Sequence, residues 1–462
     1  MKLMNVLLIS TYELGRQPFG LASPAAWLRQ AGHGVVCADL SRDALDSAAV
    51  RRAELVAFYL PMHTATRLAL PIIDTVRELN PSAHLCAYGL YARPNAPLLQ
   101  SRGVRSILGG EFEDDLLRVA ATAVSIDVSG DRGSRRALPR LKFVVPNRDD
   151  LPPLSKYSSV VLSGGERRIV GYTEASRGCK HLCRHCPVVP IYYGQFRIVG
   201  LDVVLADIRA QVARGAQHVT FGDPDFFNGI GHALHVVEAL AREWPGLTYD
   251  VTVKIEHLRQ HARHLPRLRD TGCLFVTSAV ESVDDRVLRI LEKGHTREDF
   301  ICVADLCRRV GLTLSPTFVA FTPWTTLEGY RDLLKTIEEL DLIAHVAPIQ
   351  LAIRLLLPEG SRLLELAHVR EIIDPFDPEN LVYPWTHPDP TVDALQRDIA
   401  KLVAARTNGS RPATFREIWK LAHRDEESAS RASSALLLDE APAVPHVDEP
   451  WYCCAEPLDV IV

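Results

Sequence analysis

Three cysteines carry the strongest chemical signal in this sequence, in the run Gly178-Cys179-Lys180-His181-Leu182-Cys183-Arg184-His185-Cys186-Pro187. The gaps between successive thiols are three residues, then two. A short loop of this kind aims three thiolates at three corners of one cube, and thiolates are the ligands that iron–sulfur clusters require. With only three such ligands, one iron stays open to a substrate or cofactor. The competing chemistry is a zinc site, which wants a fourth ligand and has His181 and His185 within the loop. A second sulfur pair, Cys453-Cys454, stands near the end of the chain. Adjacent cysteines are poorly placed for an unstrained mutual disulfide. They favour attack on, or soft coordination of, another species; the bland alternative is an oxidation-prone pair on an exposed tail.

The other cysteines carry less. Cys37, Cys86 and Cys273 fall in buried-strand patterns, and Cys302 and Cys307 lie five apart on one helical pattern, so all five read as core. Glu256-His257 and His261 with His264 read as a solvated helix face rather than a metal site. The chain has 462 residues, 47% hydrophobic and 24% charged, the profile of a globular protein with several domains. Its net charge of −5 offers no global basic footprint for nucleic acid or an anionic membrane. No run reaches the roughly 18 apolar residues of a spanning helix. The N-terminal MKLMNVLLIS reads as a buried first strand rather than a leader. The expected location is the cytoplasm, where cysteines stay reduced, metal-bound or catalytic.

Positioning the cysteine loop falls to an α/β chain. Over residues 1–125, strands at Asn5–Ser10, Val35–Leu40, Leu55–Leu60, His84–Tyr88 and Ser106–Leu108 alternate with helices at Pro24–Ala31 and Leu70–Leu79. That alternation predicts a doubly wound, Rossmann-like parallel sheet with its ligands at the carboxyl ends of the strands. Residues 126–167 are rich in Asp, Gly, Ser, Arg and Pro and read as a linker. From 168 to 360 a second series has strands at Gly171–Ala175, His218–Gly222, Thr248–Val253, Leu274–Ala279, Leu312–Phe318 and Ile349–Leu355. Six such units predict a partial (β/α)6 barrel with its site at the carboxyl ends of the strands. Residues 361–424 read as helical, and 425–462 as a flexible tail.

The cysteine loop after the first barrel strand resembles the signature of the radical S-adenosylmethionine (radical SAM) superfamily. That resemblance implies that Cys179, Cys183 and Cys186 hold a [4Fe-4S] cluster, whose open iron chelates S-adenosylmethionine for reductive cleavage to a 5′-deoxyadenosyl radical. It places His185 near the adenine. Phe221-Gly222-Asp223-Pro224 resembles the superfamily's Gly-Gly-Glu-like element, with Gly222 and Asp223 toward the methionine ammonium. Thr277-Ser278-Ala279-Val280-Glu281-Ser282, with the DDRVLRILEKGHT that follows, resembles a fourth-strand element in which Ser278 and Glu281 contact the ribose or methionine portion. Gln350 falls where the adenine-contacting backbone runs. The competing readings are a cap or turn residue for Asp223 and a structural ion-pair partner for Glu281.

The N-terminal half resembles a cobalamin-binding domain, with Gly109-Gly110-Glu111-Phe112-Glu113 matching its terminal Gly-Glu-x-Glu element. Two departures leave cobalamin open. No Asp-x-His-x-x-Gly supplies a lower-ligand His, and Tyr88-Gly89-Leu90 replaces the usual Gly-Gly pair. His63 reads as a satisfied loop histidine rather than a corrin neighbour. The tail Cys453-Cys454-Ala455-Glu456-Pro457 resembles the CUAEP/CCAEP-tail radical SAM (seleno)proteins, some of which carry selenocysteine at the position of Cys454. The resemblance implies a radical SAM enzyme with Cys453 and Cys454 as an accessory thiol centre. It implies an unknown substrate and a flavodoxin- or ferredoxin-type reductant; methyl transfer follows if cobalamin binds. The acidic balance argues against a nucleic-acid partner, and the lack of a spanning run against a membrane. The alternatives are an iron–sulfur or soft-element carrier that does not cleave S-adenosylmethionine, and an RNA-modifying methylthiotransferase-like enzyme.

Overall fold

A computed structural model describes residues 3–122, 140–406, 409–424 and 444–449. Five strands, β1 (Asn5–Ser10), β2 (Gly34–Asp39), β3 (Leu55–Tyr59), β4 (His84–Tyr88) and β5 (Ser106–Ile107), form an all-parallel sheet in the order β2-β1-β3-β4-β5. Strand β1 is apolar on both faces because both are covered. Leu7 and Ile9 pack with Ile73 of helix His63–Leu79, whereas Val6 and Leu8 pack with Leu21 of helix Phe19–Gln30. Order reverses between β1 and β3, where such sheets open a crevice at their carboxyl ends.

Helix Phe19–Gln30 begins five residues before the expected Pro24, which lies inside it. A proline there cannot donate to the carbonyl four residues back. That carbonyl, of Gly20, accepts instead from the Tyr88 hydroxyl at 2.8 Å. Helix His63–Leu79 likewise runs through Pro71.

Residues 159–161, expected within a linker, form β6 (Ser159–Val161), antiparallel to β7 (Arg167–Thr173). Val160 is buried against Val170 and Phe275, a contact that the surrounding polar composition hides. Elsewhere in this connector, Arg148 is buried. It bonds Asp207 through two nitrogens at 3.0 Å, Gln17 at 3.0 Å and the Tyr172 carbonyl at 2.7 Å. Tyr157 donates to Asp39 at 2.7 Å, over the end of β2. The described part of the connector is therefore fastened to both halves of the molecule.

After a short hairpin of β8 (Ser176–Gly178) and β9 (Phe196–Ile198), the barrel strands continue as β10 (His218–Phe221), β11 (Thr248–Thr252), β12 (Cys273–Glu281) and β13 (Thr313–Phe318). Strands β7, β10, β11, β12 and β13 are parallel and consecutive in the sheet. The expected sixth strand, Ile349–Leu355, is absent from the sheet. Pro348–Leu351 is a single 3-10 turn, and only a bridge between Phe321 and Arg354 continues the pairing. The result is an α/β protein whose barrel is nearly closed. Helices Pro390–Ala405 and Arg411–Ala422 pack Leu395, Ile399, Phe415 and Ile418 into the barrel's own core. At the opposite edge β14 (His446–Val447) pairs with β6. Among the described residues, no helix is long and apolar enough to cross a membrane.

The Arg148–Asp207 pair is 1% exposed on each side. Removing one partner of a buried pair strands the other charge, so Arg148→Ala should lower unfolding stability by about 3–5 kcal/mol. Arg209→Ala, at an exposed pair with Glu243, should change it by less than about 1 kcal/mol. Denaturant unfolding of both variants measures the contrast.

Candidate active site

Side chains alternate along the barrel strands, and the alternation decides what can reach the interior. Val219, Val251, Val276 and Leu314 point outward into the core under the helices. Thr252, Thr277, Ala279 and Thr317 line a cavity of about 890 Å³ at the carboxyl ends of the strands. This cavity continues to the N-terminal sheet, where Tyr59, Met62, Gly89, Leu90 and Tyr91 line it after β3 and β4.

The cysteine loop projects into the same space. Gly178 is forced at its entry. Its φ is +75°, and a Cβ there would lie 2.3 Å from the Tyr192 ring and 2.5 Å from the Gln195 carbonyl. Asn228 anchors the loop, accepting from the Lys180 amide at 3.2 Å and donating to the Gly178 carbonyl at 3.3 Å. Cys179, Cys183 and Cys186 all line the cavity. Burial pushes the Cys179 thiol up to about 11. Without metal it is therefore a protonated, poorly nucleophilic thiol. One three-donor set, Cys179, His181 and Asp225, lies within 4.8 Å among the described residues. A zinc ion there would leave Cys183 and Cys186 unused.

His185, Gly222, Asp223, Glu281 and Gln350 also line the cavity. Gly222 lies against the Tyr172 hydroxyl, which would be 1.8 Å from an added Cβ. Asp223 accepts from the Ala175 amide at 2.9 Å and the Ser176 hydroxyl at 2.5 Å, tying the exit of β7 to the start of β8. Burial raises its carboxyl to about 7, against those hydrogen bonds. Gln350, in its 3-10 turn, accepts from the Phe318 amide at 3.2 Å. Ser278 departs from its expected place. It stands between Val276 and Val280 on the outward face of β12, so its hydroxyl cannot contact a ligand in the cavity.

Glu281 follows Thr277 and Ala279 on the cavity face of β12, at a register shift that pairs it with Phe318, and takes a φ of +69°. Its carboxylate meets His185 Nε2 at 3.0 Å and the Lys293 ammonium at 3.2 Å, making the ion-pair partner weighed from sequence. Burial alone would raise this carboxyl, but Lys293 and His185 outweigh it and hold it at about 2.

Several functional groups escaped the sequence reading. Arg177, two residues before Cys179, meets Glu113 at 2.6 Å, Glu174 at 2.7 Å and Glu111 at 3.6 Å. Glu111 and Glu113 form the Gly-Glu-x-Glu element of the N-terminal half, so that element grips the cysteine loop's stem. Lys254 and Lys293 are buried ammonium groups lining the cavity, and only the Leu-Glu-Lys-Gly run hinted at Lys293. His257, expected on a solvated face, is 1% exposed at its side chain and lies 2.6 Å from Asp225. Cys302 is exposed rather than core, whereas Cys37, Cys86, Cys273 and Cys307 are buried. His63 is outside the cavity lining, its Nε2 bonded to the Asn380 carbonyl at 2.6 Å. Cys453 and Cys454 lie outside the described residues.

Residues 173–340 match the family model described as the radical SAM superfamily. The barrel is a radical SAM domain. Membership of that superfamily implies a [4Fe-4S] cluster and S-adenosylmethionine, and the donor set fits: three thiols of one loop converge on one cavity, with Lys293 close enough to Cys183 and Cys186 to feel their charge. A tRNA-2-methylthio-N(6)-dimethylallyladenosine synthase from Leifsonia xyli subsp. xyli is 25% identical over 262 residues, 51% of this chain and 47% of that protein. A ribosomal protein uS12 methylthiotransferase RimO from Parabacteroides distasonis is 23% identical over 192 residues, 37% of this chain and 42% of that one. The chain thus spans about half or less of the length of these curated relatives. The fold likeness is wider. The cobalamin-dependent S-adenosylmethionine radical enzyme OxsB, with aqua-cobalamin bound, superposes with a TM-score of 0.69 at 15% identity, covering 95% of this chain and 72% of that one. The radical S-adenosylmethionine methyltransferase TsrM from Kitasatospora setae gives a TM-score of 0.59 at 19% identity, covering 79% and 76%.

Because the Glu281 carboxyl lies below its ordinary 4.5 in the folded radical SAM domain, its contribution is present above pH 4.5. It is lost as pH falls through about 2 and amounts to about 3 kcal/mol. Glu281→Gln should be less stable at pH 5 and flatter from pH 5 to 2 than the parent chain, as measured by denaturant unfolding at each pH.

Proposed function

We propose that this chain cleaves S-adenosylmethionine reductively at a [4Fe-4S] cluster held by Cys179, Cys183 and Cys186, and acts on its substrate in the cavity between the barrel and the N-terminal sheet. One observation carries this reading: the three thiols and the carboxyl ends of β3 and β4 open onto one continuous space. When bound, the cluster and S-adenosylmethionine together supply a primary carbon radical, chemistry no side chain offers. The chain's residues position and enclose. Lys254 and Lys293 offer ammonium groups to an anionic ligand part, and the Glu281 carboxylate fixes the His185 ring and Lys293 at the cavity wall. The buried lining excludes water from a reactive intermediate.

Cobalamin is the second cofactor in this proposal, with methyl transfer as the reaction class. The exposed ends of β3 and β4 give it an apolar, aromatic wall in Tyr59, Met62, Leu90 and Tyr91. Structures of OxsB with aqua-cobalamin, and of TsrM with cobalamin and a [4Fe-4S] cluster, share this two-part fold. Since His63 faces Asn380, no histidine of that helix start is offered as a lower ligand. The methylthiotransferase reading draws on similarity over half or less of those proteins, while the fold likeness to the methyltransferase TsrM covers 79% of this chain; methyl transfer is the better supported. Cys453 and Cys454 complete the proposal as an accessory thiol centre. Glu449, the last described residue before them, lines the cavity and accepts from the Tyr12 hydroxyl at 2.8 Å.

After anaerobic reconstitution, the parent chain should convert S-adenosylmethionine to 5′-deoxyadenosine under reduction. Cys179→Ala, Cys183→Ala and Cys186→Ala should each fall to background. Native-rate cleavage by any of them would sink the assignment. Mass analysis after incubation with hydroxocobalamin tests the second cofactor separately, and a corrin-free protein would remove methyl transfer while leaving cleavage standing.

A further inference from the structure

The barrel interior carries polar groups that belong neither to the cysteine loop nor to the N-terminal sheet. Thr252 of β11, Thr277 of β12 and Ser315 of β13 are register partners on adjacent strands. All three line the cavity, so their hydroxyls form one row across its wall. Adjacent strands lie about 4.8 Å apart, which makes the row roughly 10 Å long. Thr317 adds a fourth hydroxyl one tier higher, opposite Ala279. None of these four hydroxyls has a hydrogen-bond partner among the described residues.

Asp250 lies one tier deeper, as the register partner of Phe275, whose ring packs with Val160 and Val170 and closes the barrel below. Asp250 is 4% exposed and lines the cavity. Its Oδ1 is held from behind, by His218 Nε2 at 2.9 Å and by the Thr220 hydroxyl at 2.5 Å. The Thr248 hydroxyl braces His218 in turn, at 2.8 Å from Nδ1. The second oxygen, Oδ2, has no hydrogen-bond partner among the described residues, and no lysine or arginine among them pairs with this acid. A buried carboxylate is costly unless charge and hydrogen bonds complete it. Here the donors sit on one oxygen, and the other faces the cavity side of the strand.

We infer that the substrate is a hydroxylated organic cation, an aminated polyol or amino sugar, whose ammonium meets Asp250 and whose hydroxyls meet the row Thr252, Thr277 and Ser315. The inference rests on the radical SAM reading, which puts the reacting carbon at the level of the cysteine loop. Thr277 stands four residues before Glu281 on β12, about 13 Å along the strand. The row therefore holds the end of the substrate away from the reaction. An ammonium brings Asp250 both charge and donors, and a substrate hydroxyl can give to and accept from a serine or threonine hydroxyl. An anionic or wholly apolar substrate would leave the row unpaired and Asp250 without its counter-charge.

The test measures equilibrium binding by calorimetry to the full-length reconstituted protein, with S-adenosylmethionine present and no reductant, so that nothing turns over. The probes are glucosamine, glucose as the polyol without charge, and cyclohexylamine as the cation without hydroxyls. The parent chain should bind glucosamine roughly 10-fold or more tightly than either of the others, the worth of one hydrogen bond to a charged group. Asp250→Asn, whose amide oxygen can still accept from His218 and Thr220, should bring glucosamine down to the level of glucose. The Thr277→Val, Ser315→Ala double variant should bring it down to the level of cyclohexylamine. Glucosamine that fails to bind the parent chain, or binds it no better than the other two, overturns the substrate class without recourse to any variant. So does undiminished glucosamine binding by Asp250→Asn. A parent chain that binds glucosamine selectively, yet does not cleave S-adenosylmethionine once reduced, overturns the underlying reading instead.

Discussion

Everything at the site depends on one guanidinium. Arg177 is buried among Glu111, Glu113 and Glu174, and stacks near the rings of Phe143, Phe19 and Phe112. Two of its carboxylates come from the N-terminal half and the third from the barrel, while its backbone lies in the stem of the cysteine loop. A planar group with five donors can satisfy several carboxylates at once in a way an ammonium cannot. Burial pushes Glu111 and Glu174 up to about 7 against the pull of Arg177, so the cluster of acids does not carry its full charge at neutral pH. That combination lets three acids share one cation in a dry interior.

This clasp explains why the cavity spans both halves of the chain. The N-terminal sheet offers its carboxyl ends, as parallel sheets do. The barrel offers its own, with the thiols among them. Neither fold alone brings the two openings face to face. Arg177 brings the end of β5 to the cysteine loop, and Tyr192 adds a hydrogen bond to Glu111 at 3.0 Å from the far side of that loop. The connector contributes through Arg148, and the C-terminal segment through Asn380, whose carbonyl meets His63. A shift of the N-terminal half would therefore be felt at the thiols through contacts rather than through the solvent.

What the sequence made legible was local. The β1 apolar run, the three-cysteine loop and the glycines before and after it each announce a geometry that their neighbours cannot change. Gly178 is fixed by Tyr192 of the helix that follows and Gly222 by Tyr172 of the strand before it, but only a glycine fits at either place, so the residue type is the record. Long-range partnership left less trace. His257 looks like one more polar residue on a helix until Asp225 and His181 arrive from other loops. Ser278 was misplaced by one position, and in a strand one position is the whole difference between interior and exterior. The sixth strand failed for a related reason. Ile349–Leu355 is apolar enough for a strand, yet Pro348 opens a 3-10 turn, and the C-terminal helices bury its apolar residues without pairing its backbone.

The charges inside the cavity then follow from the chemistry of the loop. Three thiolates holding the proposed cluster would bring negative charge into a space walled by apolar and hydroxyl side chains. Lys293 lies beside Cys183 and Cys186 as well as Glu281, and its ammonium is held charged despite full burial. A buried lysine without partners would instead lose its proton. Glu281 thus does two things with one carboxylate: it keeps Lys293 cationic next to the thiols, and it turns the His185 ring into the cavity wall. The alternation of β12, which turns Thr277 and Ala279 inward, delivers this carboxylate to the same face. Glu281 therefore sets the charge beside the thiols from the cavity wall, through Lys293, with its backbone in the left-handed region.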